Sequence, residues 1–214
     1  YTYFNRKTLN ENGLGSVLFN ALNIPATFNA YDANGDYTII PNSLGNEIIN
    51  PLAQIENTYN DYNYKKINGN FGLDYKIFKG FVLSGSMGFN TSNSERREFA
   101  KQISYGGKVF DVVQSSVTQS TVNDNDYSFD LFGTYTNKIG ESHNIAGTIG
   151  TTIYKQWGNG LFATGYDVPY NSWDFADLDL ITTVSKVLNN DSYTYDQRRL
   201  SYFARAQYDY KGKY

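Results

Sequence analysis

The chain has 214 residues, of which 40% are hydrophobic and 18% charged, with a formal net charge of -3; its pI is near 5.1 and its mean hydropathy -0.51. That length suits one domain of ordinary size, the mild acidity argues against a nucleic-acid surface, and no apolar run approaches the ~18 residues of a spanning helix. The lack of Cys excludes disulfide frameworks, thiolate zinc sites and cysteine nucleophiles, the single His excludes sites built on several imidazoles, and 20 Tyr, 14 Phe and 19 Gly describe a β-rich chain full of turns.

The elements follow in chain order. Tyr1-Thr2-Tyr3-Phe4 reads as strand, so a first strand is expected near 1–5. A long loop near 6–62 comes next. Within it, Val17, Leu18, Ala21 and Leu22 have helical spacing, with Ser16 placed to cap and Pro25 just past the end. Asp32-Ala33-Asn34-Gly35-Asp36 superficially resembles a calcium loop, but position twelve of an EF-hand frame is Ser43, and Asn-Gly reads more simply as a turn. From Lys66 to Ile77 the apolar residues fall on odd positions and the charged ones on even positions, the period of a strand with one apolar and one wet face. Strands are expected at 64–77 and 81–92, joined by a tight turn at Phe78-Lys79-Gly80. A loop near 93–125 ends in Asn123-Asp124-Asn125-Asp126, read as solvated. Strands near 126–137 and 144–156 flank a polar turn that holds His143, read as a turn residue. A loop near 157–195 precedes the last strand, 196–210.

The connections alternate long and short. The long ones, roughly 50, 35 and 40 residues, far exceed the ~4–6 usual in compact domains. All long connections would lie at one end of the sheet and all short ones at the other, as in outer-membrane barrels. The fold class expected is all-β: a fragment of a large antiparallel transmembrane β-barrel with long extracellular loops and short periplasmic turns. Five and a half strands do not close a barrel, and both chain ends read as lying inside structure, so a piece of a longer protein is expected. The membrane-facing side chains would be Ile67, Phe71, Leu73 and Tyr75, then Leu83, Met87 and Phe89, then Phe129 and Leu131, then Ile149 and Ile153. The competing architecture is a soluble or surface-tethered β-sandwich, which also alternates.

Two segments carry a resemblance. Asn50 to Tyr59 (NPLAQIENTY) resembles the NPLAQLENT segment of SusC/RagA-type TonB-linked outer-membrane proteins of Bacteroidota, and Ser201 to Tyr214 (SYFARAQYDYKGKY) resembles that family's SYFGRLNYNYKGKY strand and turn. Gly15 to Leu22 and Tyr31 to Gly35 are similar to its long extracellular loop. Ala204 stands where the family pattern has Gly, and Phe28-Asn29-Ala30 departs from a Pro-containing stretch. The resemblance implies a 22-stranded barrel closed by a plug, located in the outer membrane. It implies import of glycan oligosaccharides or peptides with a SusD-like surface lipoprotein, driven by TonB-ExbB-ExbD through a plug that lies outside this chain. Its other contacts would be outer-membrane lipid and substrate, with no nucleic acid and no cofactor. A surface glycan-binding β-sandwich and a passive or protein-translocating barrel are the alternatives.

No Ser-His-Asp order, HExxH motif or phosphate-binding Gly loop is present, so neither catalytic nor metal-ligating residues are expected. The substrate candidates lie in the segment holding both tryptophans. There Trp157, Tyr166, Tyr170 and Trp173 offer flat faces, and Asn159, Asp167 and Asn171 offer hydrogen bonds to hydroxyls. Packing of these aromatics into the loop's own small core, or against a partner lipoprotein, is the competing expectation.

Overall fold

Alternation with one apolar face has one stable outcome: an extended strand whose neighbours hold the same register, because a one-residue slip would turn every side chain to the wrong face. The computed structural model describes residues 1–9, 14–181 and 187–212. It contains β1 (Thr2–Arg6), α1 (Val17–Asn23), α2 (Pro51–Glu56), β2 (Tyr59–Phe78), β3 (Phe81–Ala100), β4 (Ser116–Ile139), β5 (His143–Tyr166) and β6 (Val187–Tyr210). The six strands form one antiparallel sheet in the order β1-β2-β3-β4-β5-β6. Among the described residues no second sheet covers either face, so the sandwich expectation fails.

The strands are longer than the alternation marks. β2 begins at Tyr59 rather than 64, β3 continues to Ala100, β4 begins at Ser116, and β5 continues to Tyr166. The extensions all lie at the end that carries the long connections. There the outer face turns polar while rings stand on the inner one, so no single parity stays apolar to mark the strand. The ladder instead continues through cross-strand polar pairs such as Thr118 with Thr164, 2.9 Å between hydroxyls, and Asn93 donating to Asn123 at 2.8 Å. The long connections shrink accordingly to 7–58, 101–115 and 167–186. At the opposite end the turns are tight. Gly80 takes φ +90 beneath the Thr136 carbonyl, and a side chain there would collide with it.

The first two long connections fold together. Ser16 accepts the Phe19 N–H at 3.1 Å to start α1, and Asn50 accepts the Leu52 N–H at 3.0 Å to start α2. Asn20, fully buried, donates to Gln54 at 2.9 Å and accepts from the Ile49 N–H at 3.2 Å, joining the two helices. Buried Lys108 donates its ammonium to the carbonyls of Pro41 (3.3 Å) and Gly45 (2.7 Å), tying the second loop to the first. The turn at Asp32 is closed by its own carboxylate, which accepts the N–H groups of Asn34 (2.8 Å) and Asp36 (3.0 Å). A small apolar cluster forms from Phe99, Val117, Val168 and Ala176, with Tyr59, Trp173, Leu178 and Ile181 against it.

Candidate functional site

Each face of the sheet is read from its paired residues, since directly opposed side chains share a face. Phe71, Met87, Phe129, Ile153 and Leu200 form one row; Leu73, Gly85, Leu131, Thr151 and Tyr202 form the next; Tyr75, Leu83, Gly133, Ile149 and Ala204 form a third. This outer face holds every sequence-predicted membrane residue. Phe71, Leu73, Ile149 and Tyr202 are 65%, 75%, 71% and 78% exposed, apolar area that a sheet in water does not leave uncovered. Leu83 and Met87 are half-buried by their neighbours.

Amphipathic groups bound this apolar field at both ends. Toward the turns Phe78 stacks on Phe81 at 5.2 Å, and His143 Nδ1 lies 2.7 Å from the Tyr208 hydroxyl. Toward the loops Tyr127 meets Trp157 edge-on at 6.1 Å, while Lys155 lies 4.7 Å from the Trp157 ring and 3.4 Å from Asp196. From Trp157 to Ile145, the partner of Tyr208, the strand climbs about 40 Å at ~3.3 Å per residue, or about 28 Å at ~45° tilt, matching the ~25 Å apolar band of outer-membrane barrels.

The opposite, inner face is polar along the same length. Ser84 donates to Asp74 at 2.5 Å, Thr152 to Asp130 at 2.5 Å, and Asn90 to Asp126 at 3.0 Å. The Asn90 side-chain oxygen is buried with no hydrogen-bond partner, an acceptor left for water or a bound donor. Apolar exceptions are Val82 and the pair Phe132 and Phe203, 6.2 Å between rings, both lying over Gly150.

Above the band the inner face becomes aromatic. Tyr193 and Tyr195 pair with Gly160 and Gly158, and each ring lies over its glycine where a Cβ would stand. The two rings stack at 6.4 Å, Phe162 stacks on Tyr193 at 6.2 Å, and the Tyr195 hydroxyl donates to Asp124 at 2.6 Å. On the other side Phe4 stacks on Tyr64 at 5.1 Å, and the Arg6 guanidinium covers Phe4 and Tyr62 at 5.6 and 5.3 Å. Between the two groups Ser94 and its partner Val122 present small side chains, and in the neighbouring row Arg96 stands between Tyr62 and Ser120. The result is a trough with aromatic walls and a floor of small residues and one guanidinium, that of Arg96. Flat ring faces, carboxylates and hydroxyls suit an amphipathic solute such as a saccharide or a peptide.

The sequence-predicted substrate residues are not brought to one surface. Trp157 and Asn159 are strand residues of β5 on the outer face, and Tyr166 ends β5 on the inner face. They fell in an expected loop because that extension lacks apolar alternation. Asp167 accepts from Gln114 at 2.9 Å. Asn171 accepts the Gln102 N–H at 2.7 Å and donates to its carbonyl at 2.8 Å, clipping the third loop to the second. Tyr170 is 84% exposed and packs on Phe175 at 4.8 Å. Trp173 stacks on Tyr59 at 6.0 Å under the Arg97 guanidinium at 4.0 Å, within the small loop core. The trough residues were missed, because Tyr193-x-Tyr195 and Gly158-x-Gly160 become a pattern of rings over glycines only once β5 and β6 are paired.

No protein-family profile matches the chain. A curated relative, TonB-dependent receptor P3 of Formosa agariphila, is 25% identical over 202 residues, 94% of this chain and 19% of the relative. Among solved structures, the RagAB peptide importer in its open-open state aligns with TM-score 0.76 and 18% identity over 98% of this chain and 23% of that one. The closed-closed state gives TM-score 0.75 and 18% identity over 97% and 23%. The chain therefore spans about a fifth of the length of the proteins it matches. By sequence it is similar to part of a TonB-dependent receptor and by fold to part of a RagAB chain, the likeness to SusC/RagA-type barrels that its NPLAQIENT and SYFARAQYDYKGKY segments carry.

Proposed function

We propose that this chain is part of the wall of an outer-membrane, TonB-dependent nutrient importer of the SusC type. The carrying observation is the unbroken antiparallel ladder with an apolar outer face about one bilayer tall and a polar inner face. β1 and β6 have no second strand neighbour among the described residues, and further strands of the same barrel would pair there. The wall contributes an aqueous lumen, and the aromatic trough above the band is where solute would rest before passage. A SusD-like surface lipoprotein would cover it from outside. Energy would come from TonB-ExbB-ExbD acting on a plug outside this chain. The substrate is an oligosaccharide or a peptide; the peptide importers of like fold support the latter, and the stacked, glycine-backed tyrosines suit either.

Deleting the full-length gene in its host is expected to abolish uptake of one class of labelled oligosaccharide or peptide, and TonB deletion is expected to do the same. Uptake that survives TonB loss would favour the passive barrel. Tyr193→Ala in the full-length protein is expected to raise the concentration for half-maximal uptake several-fold while leaving membrane insertion intact.

A further inference from the structure

The outer face changes character immediately above the Trp157 belt. Asn93 donates to Asn123 at 2.8 Å, and Asn123 donates to Asn159 at 3.3 Å, an amide ladder across β3, β4 and β5. Above it lies a cavity of about 470 Å³ lined by Asp61, Glu95, Arg97, Thr121 and Leu161. The third loop roofs it. The Leu178 N–H donates to the Gln119 side chain at 3.3 Å, and Arg97 donates to the Ala176 carbonyl at 3.5 Å. The roof is therefore bonded to the wall rather than loosely draped over it.

Height decides the occupant. Leu161 stands four residues beyond Trp157, about 13 Å along the strand and ~9 Å above the belt at ~45° tilt. Bilayer headgroup regions add only about 5–8 Å per leaflet. A phospholipid headgroup reaches the amide ladder and stops short of the cavity. A lipid whose headgroup carries several sugars reaches both. The lining fits that chemistry: carboxylates and a threonine hydroxyl for sugar hydroxyls, and Leu161 and Ala163 for C–H faces. Lys155, held at the belt between Trp157 and the Asp196 carboxylate, would have to share its charge with an anionic group at the sugar–lipid junction.

We infer that the amide ladder and the roofed cavity form an outward-facing site for the saccharide headgroup of an outer-leaflet glycolipid, distinct from the inner trough. This rests on the outer-membrane location proposed above. Full-length protein purified in detergent, titrated with rough lipopolysaccharide and separately with phosphatidylethanolamine, tests it. The wild type is expected to bind the lipopolysaccharide at least tenfold more tightly. Thr121→Trp, which fills the cavity, and Asn123→Leu, which breaks the ladder, are each expected to lower that affinity several-fold without altering phosphatidylethanolamine binding. Far-UV circular dichroism checks that each variant keeps its strands, and Glu95→Gln serves as a milder second cavity variant. Equal affinity for the two lipids, or affinities unmoved by any variant that keeps its strands, would overturn the site while leaving the importer reading intact. A variant that changes oligomeric state instead of lipid binding would reassign the surface to a protein contact. Recovery of the protein outside the outer-membrane fraction would overturn both proposals.

Discussion

The lower and upper halves of the same strands make an instructive pair. Both keep one register, yet on the outer face the lower half presents Phe71, Leu131 and Ile149 where the upper half presents Asn93, Thr121 and Gln119. The ladder is common to both halves, so the backbone does not choose the environment. The lower half presents the apolar outer surface that outer-membrane barrels turn to lipid. The upper half satisfies its polar groups on itself, through side-chain pairs and a loop that folds down over the outer wall. A strand can thus pass from an apolar to a polar surface without ending.

Substitutions at matched positions test that contrast most directly. Leu131→Arg lies near the middle of the apolar band and is expected to destabilise the full-length protein in vesicles by about 2–4 kcal/mol. Thr121→Arg, on the same face above the belt, is expected to cost within about 0.5 kcal/mol. Equal costs in guanidinium unfolding would erase the boundary drawn at Trp157.

Loop attachment comes next. Trp173→Ala removes the ring between Tyr59 and Arg97, with an expected loss of about 2 kcal/mol, felt as faster proteolysis of residues 167–181 and no change in protection of the lower strands. A smaller effect is expected for Lys108→Met, about 1–2 kcal/mol, because the carbonyls of Pro41 and Gly45 lose their donor. Hydrogen exchange in the first two loops would report it.

The smallest expected effect is one of pH. Asp111 accepts from the Ser104 hydroxyl at 2.7 Å and from the N–H groups of Tyr105 and Gly107 at 2.7 and 3.0 Å. The Ser104 bond first, then the backbone donors, hold its carboxyl below the usual carboxylate range. A depressed folded value means the stabilisation is whole above the ordinary Asp value and fades as pH falls through the folded one. Exchange protection of 104–111 is therefore expected to drop in acid. Asp111→Asn is expected to flatten that dependence.

Much of the lower half was legible in the sequence. The Lys66–Ile77 alternation and the Lys79-Gly80 turn follow from local rules, as does the Ser16 cap in the first long connection. The upper half was hidden because its outer face turns polar while rings move to the inner face, which leaves no steady apolar parity to detect and put Trp157 and Asn159 in a loop. The inner trough was hidden for another reason. Tyr193 and Tyr195 gain meaning only beside Gly160 and Gly158, more than thirty residues away, and a single strand's pattern does not contain its partner.

The two places where pairing loses phase bear on how such a wall tolerates change. One slip lies between Lys76 and Phe78, next to a turn, and the other between Phe162 and Thr164, above the belt. Through the apolar field itself the count never falters. A single inserted or deleted codon there would invert greasy and wet sides from that point to the next hairpin. Length variation among related genes should therefore collect in the loops and in those two slips, with the apolar stretch exchanging one apolar residue for another but almost never changing size.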